Sequence, residues 1–145
     1  MQVDNEFRMN VESKSVNEAF CRGVVSAFIM PLDPTIEELA DLKTAVSEAV
    51  TNAIVHGYGD ARGRIYIEGK IQENGLVQIK IRDKGVGIAN VEQAMQPLFT
   101  TGSEDRAGLG FTVMQSFCDS MKVTSKPGKG TTVTLVKKIT GRAKW

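Results

Sequence analysis

Residues 47–57 read SEAVTNAIVHG, and this stretch predicts the last turns of an amphipathic helix. Apolar residues recur at helical spacing into it from residue 36, which gives the helix one buried stripe. Glu48 and Asn52 stand four residues apart, so they share a face that lies off this stripe. Gly57 then ends the helical pattern. The stretch presents one carboxylate and one amide together, although a solvated helix face is the commoner explanation of such a pair alone.

Outward from this stretch, the spacing of apolar residues predicts the other elements. Thr35 and Glu38 form a capping-box signature at the start of the same helix, and Ser15 and Glu18 repeat it for an earlier helix. Asn74-Gly75 is typical of a tight hairpin turn between two strands. The predicted order is a strand around 7–11, helices over 15–30 and 35–56, strands over 65–71 and 77–81, a helix over 109–120, and strands over 121–125 and 131–139.

This order predicts one domain that spans residues 1–145. Adjacent hairpins and segregated helices favour a two-layer α/β sandwich. We expect a mixed, mostly antiparallel sheet with the helices on one face. No repeat or linker interrupts the pattern.

Composition and charge argue against several classes of function. The chain has 145 residues, 41% of them hydrophobic, which is enough for a buried core. Its net charge of +1 is too small to attract nucleic acid by bulk charge. The apolar run at 24–32 is far shorter than the roughly 20 residues of a membrane span. With no leader expected and only Cys21 and Cys118 as thiols, we expect a protein of the reducing cytoplasm that contacts neither nucleic acid nor membrane.

The predicted strand over 77–81 is followed by a glycine-rich segment. Asp83 begins the sequence Asp-Lys-Gly-Val-Gly, in which Gly85 and Gly87 permit close approach of the backbone. A carboxylate there can accept a hydrogen bond from an exocyclic amine, and adenine carries one. Taken alone, the pattern is more often a tight turn.

A second glycine pair, Gly108-Leu109-Gly110, stands just ahead of the next predicted helix. Free backbone N–H groups at a helix start suit a phosphate. A loop that merely enters a helix is an equally good explanation.

The pair on the long helix suits phosphoryl transfer. Mg²⁺ prefers oxygen ligands and keeps several waters, so the Asn52 carbonyl and substrate phosphates can hold it together. The Glu48 carboxylate can orient or deprotonate an attacking hydroxyl. The three motifs occur in one order, each at the junction its chemistry needs, which makes a chance explanation of all three less probable than of any one.

In that order, Glu48 to Ala53, Asp83-x-Gly85-x-Gly87 and Gly108-x-Gly110 resemble the ATP-binding boxes of the family that includes gyrase, histidine kinases and MutL. The resemblance covers nearly the whole chain. It implies the Bergerat ATP-binding fold, with ATP and Mg²⁺ as cofactors.

Residues 32–35, 47–58 and 97–101 further resemble anti-sigma factors that are also serine kinases. This resemblance implies a protein that holds a sporulation sigma factor, of the sigma-F type, away from RNA polymerase. It also implies an ATP-dependent protein-serine kinase that phosphorylates and inactivates an anti-anti-sigma partner.

The resemblance implies a role for each matching residue. Glu48 is the base for the partner's serine hydroxyl, Asn52 is the Mg²⁺ ligand, and Asp83 reads the adenine amino group. The residues implied to complete the ATP site are Gly85 and Gly87 in the adenine pocket, Thr132 beside it, Thr100 and Thr101 at the start of a mobile lid, and Gly108, Leu109 and Gly110 on the phosphates.

Docking residues and a homodimer through the helix-free sheet face are also implied. Glu18 and Arg22 match first-helix positions that bind both protein partners, and we expect them on the exposed side of the helix, away from Phe20. A plain ion pair one turn apart, worth ~0.3–0.5 kcal/mol, explains them without a partner. Arg106 in the lid would reach a phosphate or a partner carboxylate.

Three alternative functions stay open. A stress-response anti-sigma kinase, of the anti-sigma-B type, has the same chemistry and a different sigma factor. A histidine-kinase-like ATPase domain should follow a helical dimerisation domain, for which there is no room before Glu48. A nucleotide-gated binding module without phosphoryl transfer has no need of Glu48, and an ATP-turnover assay separates it from a kinase.

Overall fold

A computed structural model describes residues 2–91 and 104–141, with the backbone alone for 104–109. The strands are β1 (Val3–Glu12), β2 (Arg64–Gln72), β3 (Leu76–Asp83), β4 (Ser120–Lys126) and β5 (Gly130–Lys138). The helices are α1 (Asn17–Ile29), α2 (Ile36–Asn52) and α3 (Glu104–Phe117). A π-helical turn, Ala53–Tyr58, continues α2.

In the described part of the chain, the strands form one sheet in the order β1-β2-β3-β5-β4, and each neighbouring pair is antiparallel. β3 and β4, which α3 connects along the chain, run in the same direction, but β5 lies between them. Every described strand pair is therefore antiparallel, and the expected mixed sheet is fully antiparallel in the described residues. Asn74 and Gly75 join β2 to β3 with φ values of 66° and 76°, as the hairpin prediction requires. The predicted two-layer α/β sandwich is confirmed.

The core lies between one face of the sheet and the helices. Alternate strand residues are buried, as Ile65 and Ile67 of β2 illustrate. The residues between them, such as Tyr66 and Glu68, lie on the opposite face of the sheet. The helices contribute the buried Val25, Ile29, Leu42, Val46, Val50, Phe111 and Met114.

Only one of the two predicted capping boxes forms. Thr35 Oγ1 accepts the Glu38 N–H at 3.0 Å, and the Thr35 N–H donates to Glu38 Oε1 at 2.9 Å. For α1 the prediction of a box from Ser15 to Glu18 is wrong. Val16 is the N-cap there, and it makes no side-chain capping hydrogen bond.

The orientation of α1 also differs from the expectation. Cys21, Val25 and Ile29 are fully buried, whereas Val16 is 74% and Phe20 is 56% exposed. Apolar residues surround most of this helix, so periodicity alone does not select the side that packs on the sheet. The second apolar side is left at the surface.

α3 begins at Glu104 rather than near Leu109 and ends at Phe117 rather than Ser120. Acidic residues at 104 and 105 favour a helix start at that point. Gly108 and Gly110 therefore lie inside the helix and not ahead of it.

Candidate functional site

Glu48 and Asn52 lie against Gly110 of α3. A Cβ built on Gly110 would lie 3.0 Å from Asn52 Nδ2 and 3.2 Å from Glu48 Oε2. A larger residue would crowd both side chains, so the glycine lets α3 pack closely on the polar face of α2. The structure brings together three residues that the sequence analysis assigned to one site.

Asn52 is a buried polar residue whose side-chain nitrogen lacks a hydrogen-bond partner in the described part of the chain. Its exposed fraction is 9%. Its Nδ2 is shielded from solvent and has no hydrogen-bond partner among the described residues. A buried donor without a partner costs about 1–3 kcal/mol, and native proteins seldom leave one without a reason. The nitrogen is therefore placed to donate to an acceptor of a bound molecule, while the carbonyl oxygen of the same amide can take a cation as ligand.

Asp83 ends β3 and is 5% exposed. The Gly85 N–H donates to Asp83 Oδ1 at 2.9 Å, and the Thr131 N–H also donates to this carboxylate. Burial raises the pKa of the Asp83 carboxyl, and the two N–H donors oppose the rise. The result is a shielded acceptor whose direction is fixed by backbone groups.

Close backbone contacts hold the turn that follows Asp83. The Val86 N–H donates to the Gly57 carbonyl at 2.9 Å, and a Cβ on Gly85 would overlap that same carbonyl. Gly87 has a φ of +76° and lies against the Lys126 carbonyl. Both positions therefore require glycine because a neighbouring backbone carbonyl lies too close for a side chain. A simple turn would not impose this requirement at both positions.

The sequence predicts Thr132 beside the adenine pocket, but the strand register places Thr131 there instead. In the β3–β5 register, Asp83 pairs with Thr131 and Arg82 pairs with Thr132. Neighbouring strand residues point to opposite faces of a sheet, so Thr132 lies with Arg82 on the face away from the helices. Thr131 is the threonine next to Asp83, and its hydroxyl lies 2.8 Å from Ser125 Oγ.

Several predicted site residues fall outside what the structure describes. Thr100 and Thr101 lie outside the described residues, as do the side chains of Arg106 and Leu109. Gly108 belongs to α3 and lies four residues after Glu104, where the helix begins. Their predicted roles stay predictions.

Glu18 and Arg22 form the helix ion pair that the sequence analysis kept as the simpler explanation. Arg22 Nε lies 3.0 Å from Glu18 Oε2, with exposed side-chain fractions of 39% and 23%. The two residues lie toward the packed side of α1, because Cys21 and Val25 are the buried neighbours. They are therefore less available to a partner than expected, whereas Phe20 is more available.

The sequence alone did not identify Gly57 or Thr131 as part of the site. A Cβ on Gly57 would lie 2.7 Å from Asp83 Cγ, so this glycine forms one wall of the carboxylate's environment. Gly57 was assigned only to the end of a helix. Counting the strand register from Asp83 would have selected Thr131, but that register is a long-range pairing.

A buried amide and a buried carboxylate acceptor are groups that suit a phosphorylated ligand carrying an amine. In the described residues, no group of three or more His, Cys, Asp or Glu side chains could hold a metal ion. A cation at Asn52 would need ligands from the bound molecule, which fits a nucleoside phosphate and Mg²⁺. In that same part of the chain, no helix is long and apolar enough to cross a membrane.

Fold and site together define a class of protein. A family model described as a histidine kinase-like ATPase domain matches residues 13–137, which include Glu48, Asn52 and Asp83. The match agrees with the observed α/β sandwich. In that sandwich, α2 carries Glu48 and Asn52, and the end of β3 carries Asp83.

Curated relatives narrow the class further. The chain is 56% identical over 140 residues to a protein named anti-sigma F factor from Thermoanaerobacter sp. (strain X514), over 96% of this chain and 97% of that protein. It is 53% identical over 137 residues to one of the same name from Geobacillus thermodenitrificans (strain NG80-2), over 93% of each. The chain belongs to the histidine kinase-like ATPase family, in the group of the anti-sigma F factors.

Solved structures agree on the fold. The crystal structure of the RsbU and RsbW domains of a Mycobacterium tuberculosis protein matches with a TM-score of 0.71 at 17% identity, over 97% of this chain and 34% of that chain. A histidine kinase domain from Erythrobacter litoralis matches with a TM-score of 0.58 at 20% identity, over 84% of this chain and 60% of that chain. At these identities the likeness concerns the fold alone.

Proposed function

We propose that this chain binds ATP with Mg²⁺ between α2, the turn after β3, and α3. The observation that carries the proposal is the buried Asn52 amide, which lies with Glu48 against Gly110. Asn52 Oδ1 would be the protein's ligand to Mg²⁺, with phosphates and waters as the others. Bound Mg²⁺ supplies positive charge at the phosphates. Gly108, Leu109 and Gly110 would lie against the phosphates, and Thr100 and Thr101 would begin the lid.

Asp83 would recognise the adenine base. An ionised carboxylate only accepts hydrogen bonds, so it suits the adenine amino group and repels the carbonyl of guanine at the same place. The buried position of Asp83 supports this role, because an acceptor removed from water discriminates more strongly than an exposed one. Gly85 and Gly87 would shape the pocket.

Glu48 would act as the base of a protein-serine kinase. The serine oxygen of an anti-anti-sigma protein would bond to the γ-phosphorus, and the bond from that phosphorus to the bridging oxygen would break, releasing ADP. The serine proton would pass to the Glu48 carboxylate. The position of this carboxylate, one turn from Asn52 and against Gly110, supports the assignment.

Sequestration of a sporulation sigma factor of the sigma-F type would be the second activity, carried out in the cytoplasm. The name of the curated relatives supports it, and so does the exposed apolar side of α1 at Val16 and Phe20. Apolar surface of this kind often marks a protein interface. Glu18 and Arg22 lie on the other side of α1, so a partner would have to reach around the helix to contact their exposed atoms. Arg106 would contact one partner from the lid.

Two partners that share α1 would compete. Nucleotide can favour one of them only if that partner also contacts the lid or the γ-phosphate, because a ligand shifts an equilibrium only through differential affinity. We further assign the helix-free face of the sheet to a homodimer, since that face lies opposite the helices.

Calorimetric titration of ATP, with and without Mg²⁺, tests the nucleotide site. The wild-type protein should bind ATP more tightly with Mg²⁺, and Asn52→Ala should abolish that dependence. Asn17→Ala is the matched control, because Asn17 lies at the start of α1 and bonds to the Glu12 carbonyl. An Asn52→Ala variant that keeps the Mg²⁺ dependence would show that the metal is held elsewhere.

A further inference from the structure

The hydroxyl of Tyr58 bridges the ends of two neighbouring strands. The β2–β3 register ends at the pair Tyr66 and Arg82, and its continuation would pair Arg64 with Lys84. The Tyr58 hydroxyl occupies that rung instead: it donates to the Arg64 carbonyl at 2.5 Å and accepts the Lys84 N–H at 2.8 Å. The strands therefore separate just where Asp83 ends β3.

The three amides that follow Asp83 all have assigned partners. The Lys84 N–H donates to Tyr58, the Gly85 N–H donates to Asp83 Oδ1, and the Val86 N–H donates to the Gly57 carbonyl. Two of these three bonds come from the dipeptide Gly57-Tyr58. This dipeptide ends the turn that continues α2, so it links the helix of Glu48 and Asn52 to the turn after β3.

The Tyr58 ring is itself held in place. A Cβ on Gly63 would overlap the ring, so the ring lies directly on that glycine. Its hydroxyl is thereby fixed between two backbone groups. A rigid ring with a fixed hydroxyl is suited to setting the position of a neighbouring loop.

We propose that Tyr58 is a positioning residue that sets the direction of the Asp83 carboxylate and so determines the preference for adenine. The inference rests on the proposed nucleotide site. Tyr58 acts through the Lys84 amide, one residue after Asp83, and does not itself touch the base. Without the hydroxyl, the Lys84 amide loses its link to the β2 end. The turn whose Gly85 amide holds Asp83 Oδ1 can then shift, and the carboxylate shifts with it.

The test compares ATP with purine riboside triphosphate, which lacks the 6-amino group. Wild-type protein should prefer ATP by about 10-fold or more, the range of one hydrogen bond to a charged group. Tyr58→Phe should bring the two affinities within about 2-fold by weakening ATP alone, since only the amino group depends on the direction of Asp83. A merely structural role would weaken both nucleotides equally and leave their ratio unchanged.

Tyr66→Phe is the matched control. This tyrosine lies on β2 close to the same rung, with the Arg82 guanidinium 4.8 Å and the Lys84 ammonium 4.9 Å from its ring centroid. Its ring is kept in the variant, and the nucleotide preference should not change. In wild-type protein, the Lys84 amide should be protected from hydrogen exchange, a measurement that does not depend on the folding of any variant.

The outcomes separate the two claims. A wild-type protein with no preference for ATP over the purine analogue would contradict the assignment of Asp83 to adenine, and the role of Tyr58 would fall with it. A Tyr58→Phe variant that keeps the wild-type preference, or an unprotected Lys84 amide, would overturn the positioning role alone.

Discussion

Replacing Gly110 by alanine should separate function from stability. The added Cβ would lie 3.0 Å from Asn52 Nδ2 and 3.2 Å from Glu48 Oε2. Carbon contacts are usually about 3.5–4.0 Å, so the Asn52 amide would have to move by roughly half an ångström. A displacement of about 1 Å at a catalytic group can cost ~10²-fold, so we expect ATP affinity and phosphoryl transfer to fall by ~10-fold or more.

Stability should change little in the same variant. Alanine is favoured over glycine inside a helix by ~0.5–1 kcal/mol, which offsets part of the crowding. Gly23→Ala is the control, because Gly23 lies in α1 and its built Cβ meets nothing within 4 Å. That variant should gain about 2–4 °C in Tm, by the scaling for a domain of this size, and bind ATP as tightly as wild type.

Calorimetry with ATP and thermal unfolding of both variants test this prediction, together with the phosphoryl-transfer rate of Gly110→Ala. A Gly110→Ala protein that binds and transfers like wild type would refute the placement of α3 against Asn52 and Glu48. A loss of binding accompanied by an equally large loss of Tm would show that the glycine serves packing and not the site.

Three further predictions concern other parts of the molecule. Burial raises the pKa of Asp83, so the folded state loses stability as pH rises and this carboxyl ionises. Asp83→Asn should therefore raise Tm at neutral pH, and calorimetry should show that its affinity for ATP is lower by about 10-fold or more. Burial raises the pKa of Glu38, but hydrogen bonds from residues that include Thr140 outweigh it and lower the pKa from 4.5 to about 2. The ionised Glu38 therefore stabilises the fold above pH 4.5, and this stabilisation is lost as pH falls toward 2. Glu38→Gln should thus reduce stability to urea more at neutral pH than at about pH 3. Phe20→Ala should weaken sigma-factor binding by ~10-fold or more in a pull-down titration while Tm stays constant. Ile36→Ala is the control, because Ile36 is 84% exposed on another helix. Equal binding by wild type, Phe20→Ala and Ile36→Ala would remove α1 from the interface.

Local signals in the sequence predicted a large part of the fold. The Thr35 capping box, the Asn74-Gly75 turn and the alternation of Ile65 and Ile67 each depend on neighbours in the chain, and each is confirmed. Glu48 shares a helix face with Asn52 for the same reason. These features follow from helix and strand periods, which a sequence carries directly.

Long-range packing explains what sequence analysis missed. α1 has two apolar sides, and the choice of Val25 over Phe20 as a core residue depends on the sheet beneath it. Thr131 rather than Thr132 lies beside Asp83 because of the pairing between β3 and β5. The contact of Gly57 with the Asp83 carboxylate likewise joins distant parts of the chain, so no local pattern contains it.

The most direct test of the account is the transfer of the γ-phosphate of ATP to a serine of the anti-anti-sigma protein, measured with labelled ATP. Wild-type protein should transfer phosphate, and Glu48→Gln should bind ATP within a few-fold of wild type yet transfer it ~10²-fold or more slowly, the usual range for loss of a positioned base. Glu37→Gln, an equivalent change at an exposed position of α2, should transfer at the wild-type rate. Transfer by Glu48→Gln at that same rate, or no transfer by wild-type protein, would contradict the proposed kinase.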